Sequence, residues 1–150
     1  MSLDLAMQLV VAEEVARLVT VGLTSKTTRI IDYADQTLDP GEWFTILDKT
    51  GRGVVEEFHV RSPSTSFRIS VSVDGETIIN LTYDGFREIQ QNSPSISAFA
   101  ELDENGNPTG FYIVSMRAIL HRRHVTVKLQ NTSTSPTTFS RIFAKHTAVS

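Results

Sequence analysis

Residues 67–83, FRISVSVDGETIINLTY, decide the fold. Phe67, Ile69, Val71 and Val73 alternate with Arg68, Ser70 and Ser72. Side chains on a strand point to opposite faces in turn, so this is a strand with one face in a core and one in water. Asp74-Gly75 then marks a tight hairpin, because such turns need positive φ and glycine takes it without steric cost. ETIINLTY is the returning strand. The same period of two recurs in HVTVKLQ (124–130), where Val125, Val127 and Leu129 are expected inside and Thr126, Lys128 and Gln130 outside.

Outward from these two stretches the chain reads as more of the same. TTRIID (27–32), EWFTILD (42–48) and VVEEFHVR (54–61) are strand-like, separated by DQTLDPGEW (35–43) as a turn and by the Gly51-Arg52-Gly53 turn. DGFREIQQN (84–92) is one helical turn or a loop, closed by Ser93-Pro94. ISAFAEL and GFYIVSM flank the turn DENGNPT, and FSRIFAKH follows the Ser/Thr/Pro loop NTSTSPTT. Eight or nine short strands at this spacing are the signature of an all-β sandwich or barrel, and predict an antiparallel β-sandwich over residues 27–150.

Residues 1–26 are expected to form a short helical or extended arm. Leu5, Leu9, Ala12, Ala16 and Val19 make one helical stripe, and Met7, Val11, Val15 and Leu18 a second, leaving a narrow polar face of Glu13, Glu14 and Arg17. A helix apolar on two sides needs two surfaces to cover it. Leu5, Leu9, Val11, Val15 and Leu18 are therefore expected to contact a partner subunit, the alternative being that the arm plugs its own sandwich. The acidic and basic residues that interrupt the apolar run fit neither a signal peptide nor a membrane span.

Composition narrows the function classes. A net charge of −3 argues against a general nucleic-acid binder, and zero cysteines exclude disulfides and thiolate chemistry. His121-Arg122-Arg123-His124 is the densest cluster of reactive side chains. Residues three apart on a strand diverge, so the two histidines do not converge on a metal, and the quartet reads as the charged mouth of a strand. Asp103, Asn105 and Asn107 resemble half a calcium loop, but Pro108 and Val114 stand where its glycine and glutamate belong. Glu13-Glu14, Glu56-Glu57 and Glu101/Asp103 are the paired carboxylates a hydrolase would need facing each other across a cleft. Trp43, Phe44, Tyr83, Phe86, Phe111 and Tyr112 could stack on sugars, though aromatics in strands more often fill cores.

The runs GRGVVEEFHVRSPSTSFRISVSVDGETI, YDGFREI, GFYIVSMRAILHRRHVTVKLQNTS and FSRIFAKHTA, over about residues 51–148, are similar in layout to small virion structural proteins of tailed bacteriophages. The resemblance implies a non-enzymatic β-sandwich, with a jelly roll as its specific form, that decorates a capsid or joins a tail. Its expected partners are copies of itself, as a homotrimer, and the major capsid or another virion protein, with no nucleic acid and no membrane. It brings no catalytic residue, metal or cofactor, and places the protein in the virion after assembly in the host cytoplasm. A carbohydrate- or surface-binding β-sandwich module is the second reading and a hydrolase the third.

Overall fold

A computed structural model describes residues 26–149. The arm, with Leu5, Leu9, Val11, Val15 and Leu18, lies outside the described residues except for Lys26. The elements are β1 (Lys26–Leu38), β2 (Trp43–Thr50), β3 (Arg52–Ser62), β4 (Phe67–Val73), β5 (Glu76–Thr82), α1 (Tyr83–Ile89), β6 (Ile96–Leu102), β7 (Pro108–His121), β8 (His124–Asn131) and β9 (Thr137–Val149).

Two antiparallel sheets stack face to face, ordered β1-β9-β3-β7-β6 and β2-β8-β4-β5. With β6 set aside, the first strand pairs the last, the second the next to last, and so inward: β1 with β9, β2 with β8, β3 with β7, β4 with β5. Cross-pairs β3–β9 and β4–β8 knit these four into two sheets. That is a jelly roll, with β6 widening one sheet.

The alternations land as the sequence predicts. Phe67, Ile69, Val71, Val125, Val127 and Leu129 are fully buried, and Val73 is half-buried against the same core. Phe67 meets Phe139 of the other sheet edge-on at 6.0 Å, so one aromatic pair bridges the layers. Burying each such side chain contributes about 1.5–3 kcal/mol. Asp74 and Gly75 take φ of 50° and 89°, the double positive φ of the predicted tight turn.

Three boundaries differ from expectation. DQTL is strand: β1 continues to Leu38, which is fully buried, along a partner of equal length. Asp35, at φ 54°, absorbs the break in alternation that makes this stretch look like a turn. The 51–53 turn is centred on Gly51 alone, and β3 already begins at Arg52. β7 runs on to His121, past Ala118 at φ 63°, where the β3 ladders are irregular around Glu56. The helical turn at 84–92 is α1, whose first turn is capped by the Thr82 hydroxyl accepting from Gly85 N–H, followed by a 3₁₀ turn over Gln90–Asn92. No helix among the described residues is long and apolar enough to cross a membrane.

Candidate functional site

The His121–His124 quartet is a two-residue turn between β7 and β8. Asp74, from the neighbouring hairpin, clasps it. One carboxylate accepts the backbone N–H groups of Arg122, Arg123 and His124 at 3.1, 2.7 and 3.0 Å. These bonds to the ionised form hold the Asp74 carboxyl below its ordinary range. Gly51 N–H donates to the Arg123 carbonyl at 2.7 Å, so three turns meet at one end of the sandwich. His124 lies on the outside and bonds Asp48.

His121 does not share that position. It is 3% exposed, and its ring meets that of His146 edge to edge, with centroids 5.1 Å apart and planes at 18°. The two Nε2 atoms are 2.9 Å apart, while His121 Nδ1 lies 2.8 Å from the Gly51 carbonyl. A charged strand mouth therefore describes Arg122, Arg123 and His124 but not His121. The partners sit on β7 and β9, which flank β3, and they meet because Gly53 between them has no side chain. Gly53 inside a strand is the sequence signal for such a close approach. Outside the pair, Arg52, Gly53, Val54, Leu120 and Arg122 line an open depression of about 560 Å³.

A second cluster occupies the outer face of the five-stranded sheet. Arg61 forks onto Glu101, with Nη2 to Oε1 at 2.7 Å, donates to Ser140 Oγ at 2.9 Å, and lies 3.7 Å from the Phe111 ring centroid. Thr109 donates to the same carboxylate at 2.8 Å, and the Arg61 and Thr109 bonds lower the Glu101 pKa. His59 stands beside it in a depression of about 400 Å³ with Glu57, Arg141 and Phe143, its pKa lowered chiefly by burial.

The remaining sequence candidates separate. Glu101 is committed to Arg61, while Asp103 accepts N–H bonds from Asn105 and Asn107 at 2.8 and 2.9 Å, closing its own turn. Glu56 accepts from the Thr147 hydroxyl and lies near Lys145. Tyr83 is buried, Tyr112 packs on it edge-on at 5.3 Å, and Trp43 is exposed on a different strand edge. The three do not share an exposed face. Asn131 is fully buried and donates to the Leu38 and Ser135 carbonyls, at 2.9 Å each. Among the described residues no three metal-ligating side chains come together.

The third locus is a rim. β1 is an outer strand of one sheet and β2 of the other, and they lie on the same side, with the Tyr33 and Phe44 rings 5.1 Å apart. Along this side Ile30 is 63%, Tyr33 40% and Trp43 43% exposed. Isolated exposed apolar residues are ordinary; Ile30, across from Lys145, and Tyr33, across from Ile142, point to opposite sides of β1, so these side chains flank the edge rather than share one face.

No protein-family profile matches the chain, and no curated protein matches it. Among solved structures it is similar to the catalytic domain of a GH87 alpha-1,3-glucanase in complex with nigerose, at 13% identity and a TM-score of 0.29. The match covers 81% of this chain and 25% of that one, and a substituted form of the same domain, also with nigerose, matches equally. A likeness of that size carries no argument about fold or activity.

Proposed function

We propose that this protein is a non-enzymatic virion structural component, a capsid-decorating or tail-associated β-sandwich that works by assembling with copies of itself and with a shell protein. The β1–β2 rim supports this reading. An open strand edge is a template for pairing with another chain, and natural monomers blunt it. At the opposite edge of the same sheet, Gln90 Oε1 accepts the Ala98 N–H of β6 at 2.8 Å, next to α1. Among the described residues β1 is a 13-residue outer strand with Ile30 exposed on it. Covering Ile30 or Trp43 beside this edge with a second copy would contribute about 1.5–3 kcal/mol for each one fully buried, more than exposed ion pairs at about 0–1 kcal/mol.

Sedimentation velocity of the full chain at micromolar concentration tests it. The expected result is a homo-oligomer, a trimer on the resemblance, that dissociates in Ile30→Asp and Trp43→Asp while circular dichroism is unchanged. A monomeric full chain, or variants with unchanged mass, would overturn it. Mass spectrometry of purified particles tests the virion assignment separately. The carbohydrate-binding reading ranks second because its aromatic set is divided; glycan-array binding lost in Trp43→Ala would reverse the order.

A further inference from the structure

We propose that the His121–His146 pair is a proton-operated latch, which closes one end of the sandwich at neutral pH and releases it on acidification. A carbonyl oxygen only accepts, so His121 Nδ1, at 2.8 Å from Gly51 O, carries the ring proton. The neutral ring then has a lone pair on Nε2, and His146 Nε2, 2.9 Å away, must be the donor. The contact fixes one tautomer for each neutral ring and loses its acceptor when both rings are protonated.

The site has no slack. Both rings are 3% exposed. A Cβ on Gly53 would lie 3.1 Å from each Nε2 and 2.5 Å from the Thr147 carbonyl, so the β3 backbone closes directly over the pair. The charges around it offer a further proton little help. Lys49 of β2 opposes a cation on His146 and Glu56 of β3 favours one, but Glu56 already serves Thr147 and Lys145. Arg29 of β1 stands across the ladder from His146. Arg52, Arg122 and Asp74 line the depression outside His121, where Asp74 is occupied by three N–H groups, and His124 is turned away to Asp48.

A proton added at His121 Nε2 turns the bond round, forcing His146 into its Nδ1–H form as acceptor, and leaves the imidazolium on His121. One added at His146 Nδ1 spares the bond but places an imidazolium in a buried site. There burial, then the charges of His121 and Lys49, already lower the His146 pKa. With both rings charged the bond has no acceptor and two cations face each other. Because the folded pKa of His146 is lowered, its contribution is complete above the ordinary histidine pKa of about 6.5 and is lost as pH falls through and below it. The segments freed are those the latch joins: the start of β3 and the ends of β7 and β9, at Gly53↔His121 and Gly53↔Ala148.

Two measurements on the full chain test the latch. Histidine ring ¹⁵N spectra at neutral pH should show Nδ1–H on His121 and Nε2–H on His146. Amide exchange at Gly53 and Ala148, corrected for its intrinsic pH dependence, should lose protection between about pH 7 and pH 5, the range in which histidines titrate. His146→Gln keeps a donor for His121 without a titrating group. Over the same interval the wild-type Tm should fall by about 3 °C or more relative to this variant, the shift expected for one buried hydrogen bond in a chain of this length. Parallel Tm curves, unchanged protection at Gly53 and Ala148, or the opposite tautomers would each overturn the proposal. If His146→Gln does not fold, the wild-type spectra and exchange data decide.

Discussion

Gly53→Ala opposes two effects of known sign at one atom. The φ of Gly53 is outside the left-handed region, so alanine is allowed by the backbone. With free space around it, the substitution would stabilise by about 0.4–1 kcal/mol, because the unfolded chain has fewer conformations to lose. The structure denies that space. The new methyl would sit 2.5 Å from the Thr147 carbonyl, well inside van der Waals contact, and that oxygen belongs to a strand held by ladders on both sides. Overpacking of this kind costs about 1–3 kcal/mol. The same methyl would press on both imidazoles at 3.1 Å and strain their hydrogen bond, whose net worth is about 0.5–1.5 kcal/mol. The expected net effect is a loss of about 1–3 kcal/mol. Guanidinium denaturation reads it as a lower midpoint with unchanged m, since the surface exposed on unfolding stays the same. A variant as stable as the parent would mean that β3 and β9 are farther apart than described, and the close approach underlying the latch would be refuted.

Further expectations follow from single side chains. Asp74→Ala should lower Tm at neutral pH, and the deficit should narrow as pH falls through the carboxylate range: the parent's folded pKa is depressed, so the ionic part of its advantage exists only above that range, while the cost of alanine at φ 50° stays. Asn131→Ala removes two donors from buried carbonyls and the acceptor for Ser133 N–H, and should cost at least about 1–3 kcal/mol by chemical denaturation. Tyr83→Phe should be neutral or mildly stabilising by the same assay, because the buried Tyr83 hydroxyl has no partner among the described residues.

Strand faces were legible because burial on one side imposes a period of two, and residues 67–73 and 124–130 keep that period without interruption. The Asp74-Gly75 turn was legible because its chemistry is local. Strand lengths were not. Asp35 and Ala118 each take a left-handed conformation within a strand, and alternation breaks at both. The histidine pair was hidden for another reason. His121 and His146 are 25 residues apart on strands that are not neighbours, and only the empty side of Gly53 brings them together. The apolar rim was likewise invisible, since exposure of Ile30 and Trp43 depends on which strands end up outermost.

Ala118 carries the complementary test. It is exposed, at φ 63°, opposite Glu56 in a stretch where neither residue pairs across the β3–β7 ladder. An L-residue held left-handed costs about 1–2 kcal/mol from the approach of Cβ to the following carbonyl. Such strain persists only where the surrounding strands over-determine the bend. Here β3 carries its own irregularity at the same level, between Val55 and Glu57 on the β9 side, so two neighbouring strands turn together. Just beyond the bend lie Gly53 and His121. Ala118→Gly removes the Cβ contact but loosens the unfolded chain by about 0.5–1 kcal/mol. If the bend is built into the sheet, the strain relieved exceeds that loss, and the variant should gain up to about 1 kcal/mol with no change in m. If the bend is not there, only the glycine cost remains and the variant loses about 0.5–1 kcal/mol. The sign of one denaturation midpoint therefore decides whether β7 reaches His146 through a strained turn or along a regular strand.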